Sequence, residues 1–365
     1  MEHDKMGAKR PTLPRRSVAT ALKGLNPLLR RLLHPSDPAG GANLNPLGER
    51  LREAELVQLN VKNMGYEIGR ALVQENLSAA GEMVPAPVYV GLGSKATTQQ
   101  DIESSWLWHW CQRLNTAVIY HRKVWEFAYT LQVLWENGML EPGKRAIGFG
   151  CGEEPIPSLL ASLGVEVTIT DQNSDTAKKQ GWAQTSQFTE TLDSAFREEL
   201  VDRETFNRLA NLRYVDMNAI DNDLSDYDFC WSICAFEHLG SITKGQKFVT
   251  NAMQVLKPGG IAVHTTEFNF TSDGPTIDDA PTVLFQKKDF EEIGAALRDA
   301  GDMPAEMNFD IGNGPIDNFI DVPPYYYTIK NLEDKDTRVN HLKMSLSGYP
   351  TTCFGLWARR GQYRA

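Results

Sequence analysis

Cysteine is scarce in this chain and unpaired in pattern. Five occur in 365 residues (Cys111, Cys151, Cys230, Cys234 and Cys353), an odd number with no C-x-x-C among them. That excludes a disulfide framework and a zinc knuckle, and it is the usage expected of reduced thiols in a cytoplasmic protein. Long apolar runs are missing as well: none approaches the roughly 18 to 20 residues that a membrane-spanning helix needs. The opening "MEHDKMGAKRPT" lacks the basic-then-apolar order of a secretory signal. Positive charge is in deficit, with 37 Lys and Arg against 47 Asp and Glu, a net charge of −10. Broad nucleic-acid affinity draws mainly on Lys and Arg neutralising phosphate, so that balance argues against it, although a local basic patch would escape the argument. No repeat of solenoid period is present, and no low-complexity tract lies beyond the N-terminal stretch.

The charge is distributed unevenly. Residues 1–44 are basic, with prolines and glycines at both ends, and are expected to form a flexible tail. The sharper alternative is that "ALKGLNPLLRRLLHP" makes a short basic amphipathic piece that touches an anionic membrane surface or a partner. From 45 to 140 the apolar spacing is helical, in one block to about Ala80 and a second from about Gln99 to Leu140, which predicts a helical accessory region. Trp106 and Trp110 recur one turn apart, as do Phe127 and Leu131, so these aromatics read as core. From Arg145 strand and helix patterns alternate. "RAIGFG", "VEVTITD", "RYVDM", "YDFCWSICAF" and "IAVHTTEF" read as strands with helical stretches between them. Such units predict an α/β domain over 141–365 with a parallel sheet, carrying an insert at about 311–350.

"GFGCGEEPIP" joins the first of these strands to the next helix. Gly148, Gly150 and Gly152 suit a tight strand-to-helix turn, the place where dinucleotide folds seat a pyrophosphate on a helix N-terminus. Here Glu153 and Glu154 stand at that terminus, and Pro155 deletes one N–H donor. Two carboxylates repel pyrophosphate at close range, so a ligand with a cationic centre and no phosphate is the better match, which points to a sulfonium. Asp171 lies nineteen residues after Gly152 at the tip of the next strand, placed for the hydroxyls of a ribose. Asp216 ends the strand after that, where a carboxylate accepts from an adenine amino group and Met217 packs on the ring. Strand-end Asp residues also cap helices and turns, and that remains the alternative for each one alone.

"RAIGFGCGEEP", "VEVTITDQ", "RYVDMNAI", "DYDFCWSICAFEHLG" and "VLKPGGIAVHTTEFN" resemble, in order and spacing, the motifs of class I S-adenosylmethionine-dependent methyltransferases. The likeness runs from Arg145 to Asn269. It implies a Rossmann-like fold, a seven-stranded, mostly parallel sheet with one antiparallel strand near "TTCFGLWARR", preceded here by the helical extension. It also implies S-adenosylmethionine across the C-terminal edge of the sheet, with Gly148, Gly150, Gly152, Asp171, Gln172, Asp216 and Met217 as its contacts. The family often carries an acidic residue two before the first glycine, where this chain has Ala146. Arg122, with His121, in "YHRKVWEF" is the candidate for the missing polar contact; a solvated helix face is the alternative.

Two polar clusters fall at neighbouring strand ends, Glu237–His238 and His264–Thr265–Thr266–Glu267. In a parallel sheet those ends border one crevice, so His238 and His264 are the expected proton acceptors, oriented by Glu237 and Glu267. The resemblance extends to small-RNA 2′-O-methyltransferases and quinone-pathway O-methyltransferases, whose Glu-x-x-Glu-His element holds a divalent cation. Glu237 and His238 match its last two positions, but Cys234 replaces the first glutamate. A metal held by Glu237, His238 and His264, or with Glu267, is therefore the alternative to plain base catalysis. The chain as a whole looks like a bacterial group of methyltransferases with "HRKxWEF", "GxGxGxEP" and "HTTEFN" signatures that accompany glycan-building enzymes. The expected acceptor is a sugar hydroxyl or another small polar molecule. An RNA ribose, and a methyltransferase fold serving only as an interaction partner, are the rivals. Tyr325, Tyr326 and Tyr327 in the insert would face the acceptor.

Overall fold

Helix caps and two-sided apolar strands set the order of elements. The computed structural model describes residues 45–79, 86–172, 191–271, 273–325 and 340–363. The basic tail, Tyr326 and Tyr327 lie outside them. The chain divides into two compact units, Met1–Val61 and Lys62–Ala365. The described part of the first is the beginning of helix α1 (Asn45–Ala79), where Leu51, Leu56, Val57 and Val61 are exposed. No helix among the described residues is long and apolar enough to cross a membrane.

In the second unit, strand β1 (Ser94–Ala96) precedes helices α2 (Gln99–Ile102), α3 (Ser105–Arg113) and α4 (Arg122–Glu136). The alternating segment follows as β2 (Arg145–Phe149), α5 (Ile156–Ser162), β3 (Glu166–Asp171), α6 (Arg203–Leu209), β4 (Ala210–Tyr214), β5 (Tyr227–Ile233), α7 (Ile242–Ala252), β6 (Leu256–Asn269) and α8 (Lys287–Asp299). The C-terminal part adds β7 (Met303–Pro304), β8 (Met307–Asn308), β9 (Ile320–Asp321), β10 (Lys343–Leu346) and β11 (Tyr349–Arg359).

The main path of the sheet runs β4-β3-β2-β5-β6-β11-β1-β8. From β4 to β6 every pairing is parallel. β11 then runs antiparallel to β6, with Gly355 opposite Thr265 and Cys353 opposite Glu267. The α/β class, the mostly parallel sheet and the antiparallel strand at "TTCFGLWARR" follow the sequence expectation. The sheet is wider than seven strands, because short strands β7 to β10 join its far side and β1 inserts beside β11. These pieces are two to four residues long, too short for any apolar period to announce them.

β5 is buried along nearly its whole length, the mark of a strand covered on both faces. Phe229 and Trp231 face a core shared with α3, α4 and α5, around Trp106, Trp125 and Leu131. Cys230 faces the opposite core, where Phe236, Phe248, Phe285 and Phe290 pack below α7 and α8. Both helix starts are capped: the Ser241 hydroxyl accepts from the Lys244 N–H at 3.2 Å, and Gln286 and Asp289 form a reciprocal box. α4 begins at His121, whose Nδ1 accepts from the Lys123 N–H at 3.1 Å. That cap aims Arg122 and Lys123 at the carboxyl ends of β5 and β6.

Candidate functional site

A cleft of about 1350 Å³ opens over the carboxyl ends of the parallel strands. Its first wall is the loop after β2. Gly150 and Gly152 have φ of 62° and 52°, the left-handed region that L side chains disfavour. A Cβ on Gly150 would also lie 2.9 Å from Ala235 Cβ and 3.4 Å from Met217 Sδ. The loop is pinned to the next strand: Asp171, the last residue of β3, accepts the Gly152 N–H at 3.1 Å and the Gln172 N–H at 2.8 Å. Asp216 stands two residues beyond β4, exposed, accepting the Asn218 N–H at 2.8 Å. Gly150, Gly152, Asp171, Gln172, Asp216 and Met217 all border the cleft.

Gly148 does not border it. It lies within β2, where a Cβ would come 2.3 Å from the Trp231 ring and 2.4 Å from Cys151 Sγ, so its bareness serves packing. The two glutamates also part company. Glu153 is exposed, whereas Glu154 is buried and receives the Trp231 indole N–H. Burial pushes the Glu154 carboxyl up to about 8, so at neutral pH it is a neutral hydrogen-bonding group. The anionic rim read from "GEEP" therefore rests on Glu153 alone.

The second wall is a buried polar cluster brought by four elements. Arg122, on the first turn of α4, forms an ion pair with Glu267 of β6 and lies 3.8 Å from Glu126. Its Nη1 is 3.4 Å from Cys234 Sγ and 3.5 Å from Cys353 Sγ. Glu126 accepts from the Thr265 hydroxyl at 2.8 Å and the Cys353 thiol at 3.1 Å, with Lys123 at 3.3 Å. Burial works against charge on Glu126, yet Lys123 and Arg122 hold it below the usual carboxylate range. Glu237 accepts the Thr266 hydroxyl at 2.9 Å. Burial raises Glu237 to about 6 and Glu267 to about 7, the latter in spite of Arg122.

His238 borders the cleft with its Nδ1 3.0 Å from the Pro281 carbonyl and 3.1 Å from the Thr282 hydroxyl. A carbonyl only accepts, so Nδ1 carries the proton and Nε2, 4.0 Å from Glu237, is the acceptor nitrogen. His264 is not brought to the cleft. Its ring lies among Phe236 and Phe248 with Nδ1 2.8 Å from the Ser232 hydroxyl, and burial drives it down to about 3. The reason is the pleat: alternate residues of a strand face opposite sides, so Thr265 and Glu267 meet α4 while His264 meets α7.

The glycine loop, Asp171 and Asp216 fit an adenosine-linked methyl donor, since Gly150 leaves the space a Cβ would fill. A hard divalent cation fits poorly. Cys234, Glu237 and Glu267 do bring ligand atoms within 4.8 Å of one another. The Arg122 guanidinium already neutralises Glu267 and touches Cys234, and one donor is a soft thiol.

Lys123, Glu126 and Cys353 were not legible as site residues. The signal for the first two was a charged i,i+3 and i,i+4 set, "RKVWE", on a helix otherwise spaced as core. Cys353 joins only through the β6–β11 register.

Residues 147–264 match the protein family described as "Methyltransferase domain", less than half of the chain. No curated protein matches the chain. Among solved structures, it is similar to a SAM-dependent methyltransferase from Aquifex aeolicus, at 16% identity and TM-score 0.33, over 63% of this chain and 88% of that one. It is also similar to TehB from Haemophilus influenzae, at 15% identity and TM-score 0.38, over 69% and 66%. Likeness this distant says nothing of substrate or partner. The match to a methyltransferase domain begins in the strand that ends in the glycine loop and closes in β6, and so takes in the loop, Asp171, Asp216 and the Glu237–His238 edge of the cleft.

Proposed function

We propose that the protein methylates a small polar acceptor, bound beside Glu237, His238 and Glu267, with S-adenosylmethionine held by the glycine loop, Asp171 and Asp216. When bound, that donor supplies an electrophilic methyl on a sulfonium. The observation that carries the reading is the sharing of one cleft: the pinned loop and strand-end carboxylates line one part, an acceptor nitrogen and two carboxylates another. Asp171 has a double task, fixing the loop through Gly152 and offering its carboxylate to the ribose hydroxyls. Lys123 and Arg122, at the mouth of α4, are the cations for the donor's carboxylate. His238 Nε2 takes the acceptor's proton, and Glu237 beside it stabilises the imidazolium. Much of the rate then comes from holding the two reactants in line. A sugar hydroxyl is one acceptor of this class.

Calorimetry with S-adenosylmethionine and S-adenosylhomocysteine tests the donor site. Both are expected to bind at one site per chain, with Asp171→Ala at least about tenfold weaker, about 1.4 kcal/mol. No binding to protein shown folded by circular dichroism would sink the proposal. His238→Ala is expected to keep donor affinity and lose turnover.

A further inference from the structure

We infer that the acceptor is an amine, bound as its ammonium ion between Glu237 and Glu267, and that the methyl group passes to its nitrogen. The inference rests on the methyl-donor reading of the same cleft.

Charge comes first. Besides the neutral Glu154, the described residues bordering the cleft include six carboxylates, among them Glu153, Asp171, Asp216 and Asp279, against three cations, Arg122, Lys123 and Lys244. A cleft walled by one sign concentrates ligands of the other. Anionic acceptors such as nucleotides and phosphosugars are repelled there.

The end beside β5 and β6 is specific about what is missing. Glu237 and Glu267 are only 1% and 3% exposed. Glu267 gives one oxygen to Arg122, while Oε2 is buried with no hydrogen-bond partner. Glu237 spends Oε2 on the Thr266 hydroxyl and has Oε1 4.0 Å from His238 Nε2. A buried carboxylate oxygen without a donor is costly, and a charged donor compensates it best. A neutral hydroxyl brings one donor and no charge. An ammonium brings three donors and the charge. It also suits Arg122 better than a divalent ion would, because it adds a single charge and sheds that on deprotonation.

The step balances with the groups named. An N–H proton of the ammonium moves to His238 Nε2, beside Glu237, freeing the nitrogen lone pair. That pair forms the N–C bond to the methyl as the S–C bond breaks, and the S–C electron pair stays on sulfur as a thioether. The product leaves as the methylated ammonium, and the proton on His238 returns to solvent.

The test is binding. The full chain is first titrated with S-adenosylhomocysteine; failure at this stage removes the methyl-donor reading itself and is seen before any amine is added. The saturated complex is then titrated with benzylamine and, in parallel, benzyl alcohol. Benzylamine is expected to bind at least about tenfold tighter. That preference is expected to vanish in Glu267→Gln and in Glu237→Gln, each checked by its melting temperature. Equal binding, no binding of either probe, or a preference unchanged in both variants overturns the inference. Stoichiometric Mn²⁺ binding that competes with benzylamine also overturns it, because the carboxylates would then serve a metal.

Discussion

Glu154 follows the glycine loop in sequence but turns inward beneath the Trp231 indole. Its pKa is pushed up to about 8 from the ordinary 4.5, chiefly by burial. Between those values the native chain keeps a proton that the unfolded chain gives up, so stability falls as pH rises through that interval and levels off above about 8. Glu154→Gln still accepts the indole N–H but cannot ionise. Its melting temperature relative to the parent protein is therefore expected to climb from about pH 5 to pH 8; parallel curves would contradict this. Glu237 and Glu267 act in the opposite sense on rate. They stabilise an imidazolium or hold an ammonium only when ionised, so kcat/KM is expected to rise with pH through the range near 6 to 7. The limb belongs to the interacting pair, not to either residue alone. At this scale the sequence offered His264 and Glu267 as one cluster, "HTTE". Residue types were readable there, but facing was not, and facing decides which side chain meets the cleft.

Among the elements, β2 and its loop show that three glycines in one motif need not share one purpose. Gly148→Ala is expected to cost about 1–3 kcal/mol by overpacking against Trp231, with donor affinity kept once the variant is folded. Gly150→Ala meets Ala235 and also forces a side chain to positive φ, so donor binding is expected to fall as well. Urea titration and calorimetry on both variants separate the two roles, and identical behaviour would refute the distinction. α4 was read as core with a polar end, and most of it is core: Trp125 stacks on Tyr129, whose ring lies where a Cβ on Gly355 would reach 2.2 Å. Its first turn, however, carries two of the three cations of the cleft, because the His121 cap turns that end towards β6.

In the second unit as a whole, Arg122 ties α4 to β5, β6 and β11 through Glu267, Glu126 and the thiols of Cys234 and Cys353. Arg122→Met leaves two buried carboxylates short of their cation and is expected to destabilise by about 3–5 kcal/mol in denaturant titration. Arg122→Lys is expected to restore part of that loss. Activity is expected to survive exhaustive chelation, since the position between Glu267 and Cys234 is already served by a guanidinium; loss on chelation and recovery with Mg²⁺ would contradict this. The far side of the insert is anchored separately: Lys62 and His341 both pair with the buried Asp321, at 3.1 and 2.8 Å. By itself the sequence determined the α/β alternation, the glycine turn and the strand-end carboxylates Asp171 and Asp216, while the antiparallel last strand was implied only by the family resemblance. The alternation, the turn and the carboxylates follow from local periods, turn chemistry or chain order. Only the tertiary structure decided that His264 is core, that Glu154 is neutral, and that β1 enters the sheet beside β11. It likewise decided that Arg122, Glu126, Cys234, Glu267 and Cys353 form one cluster. Those outcomes depend on register between distant strands and on burial, and neither is a property of any local stretch of chain.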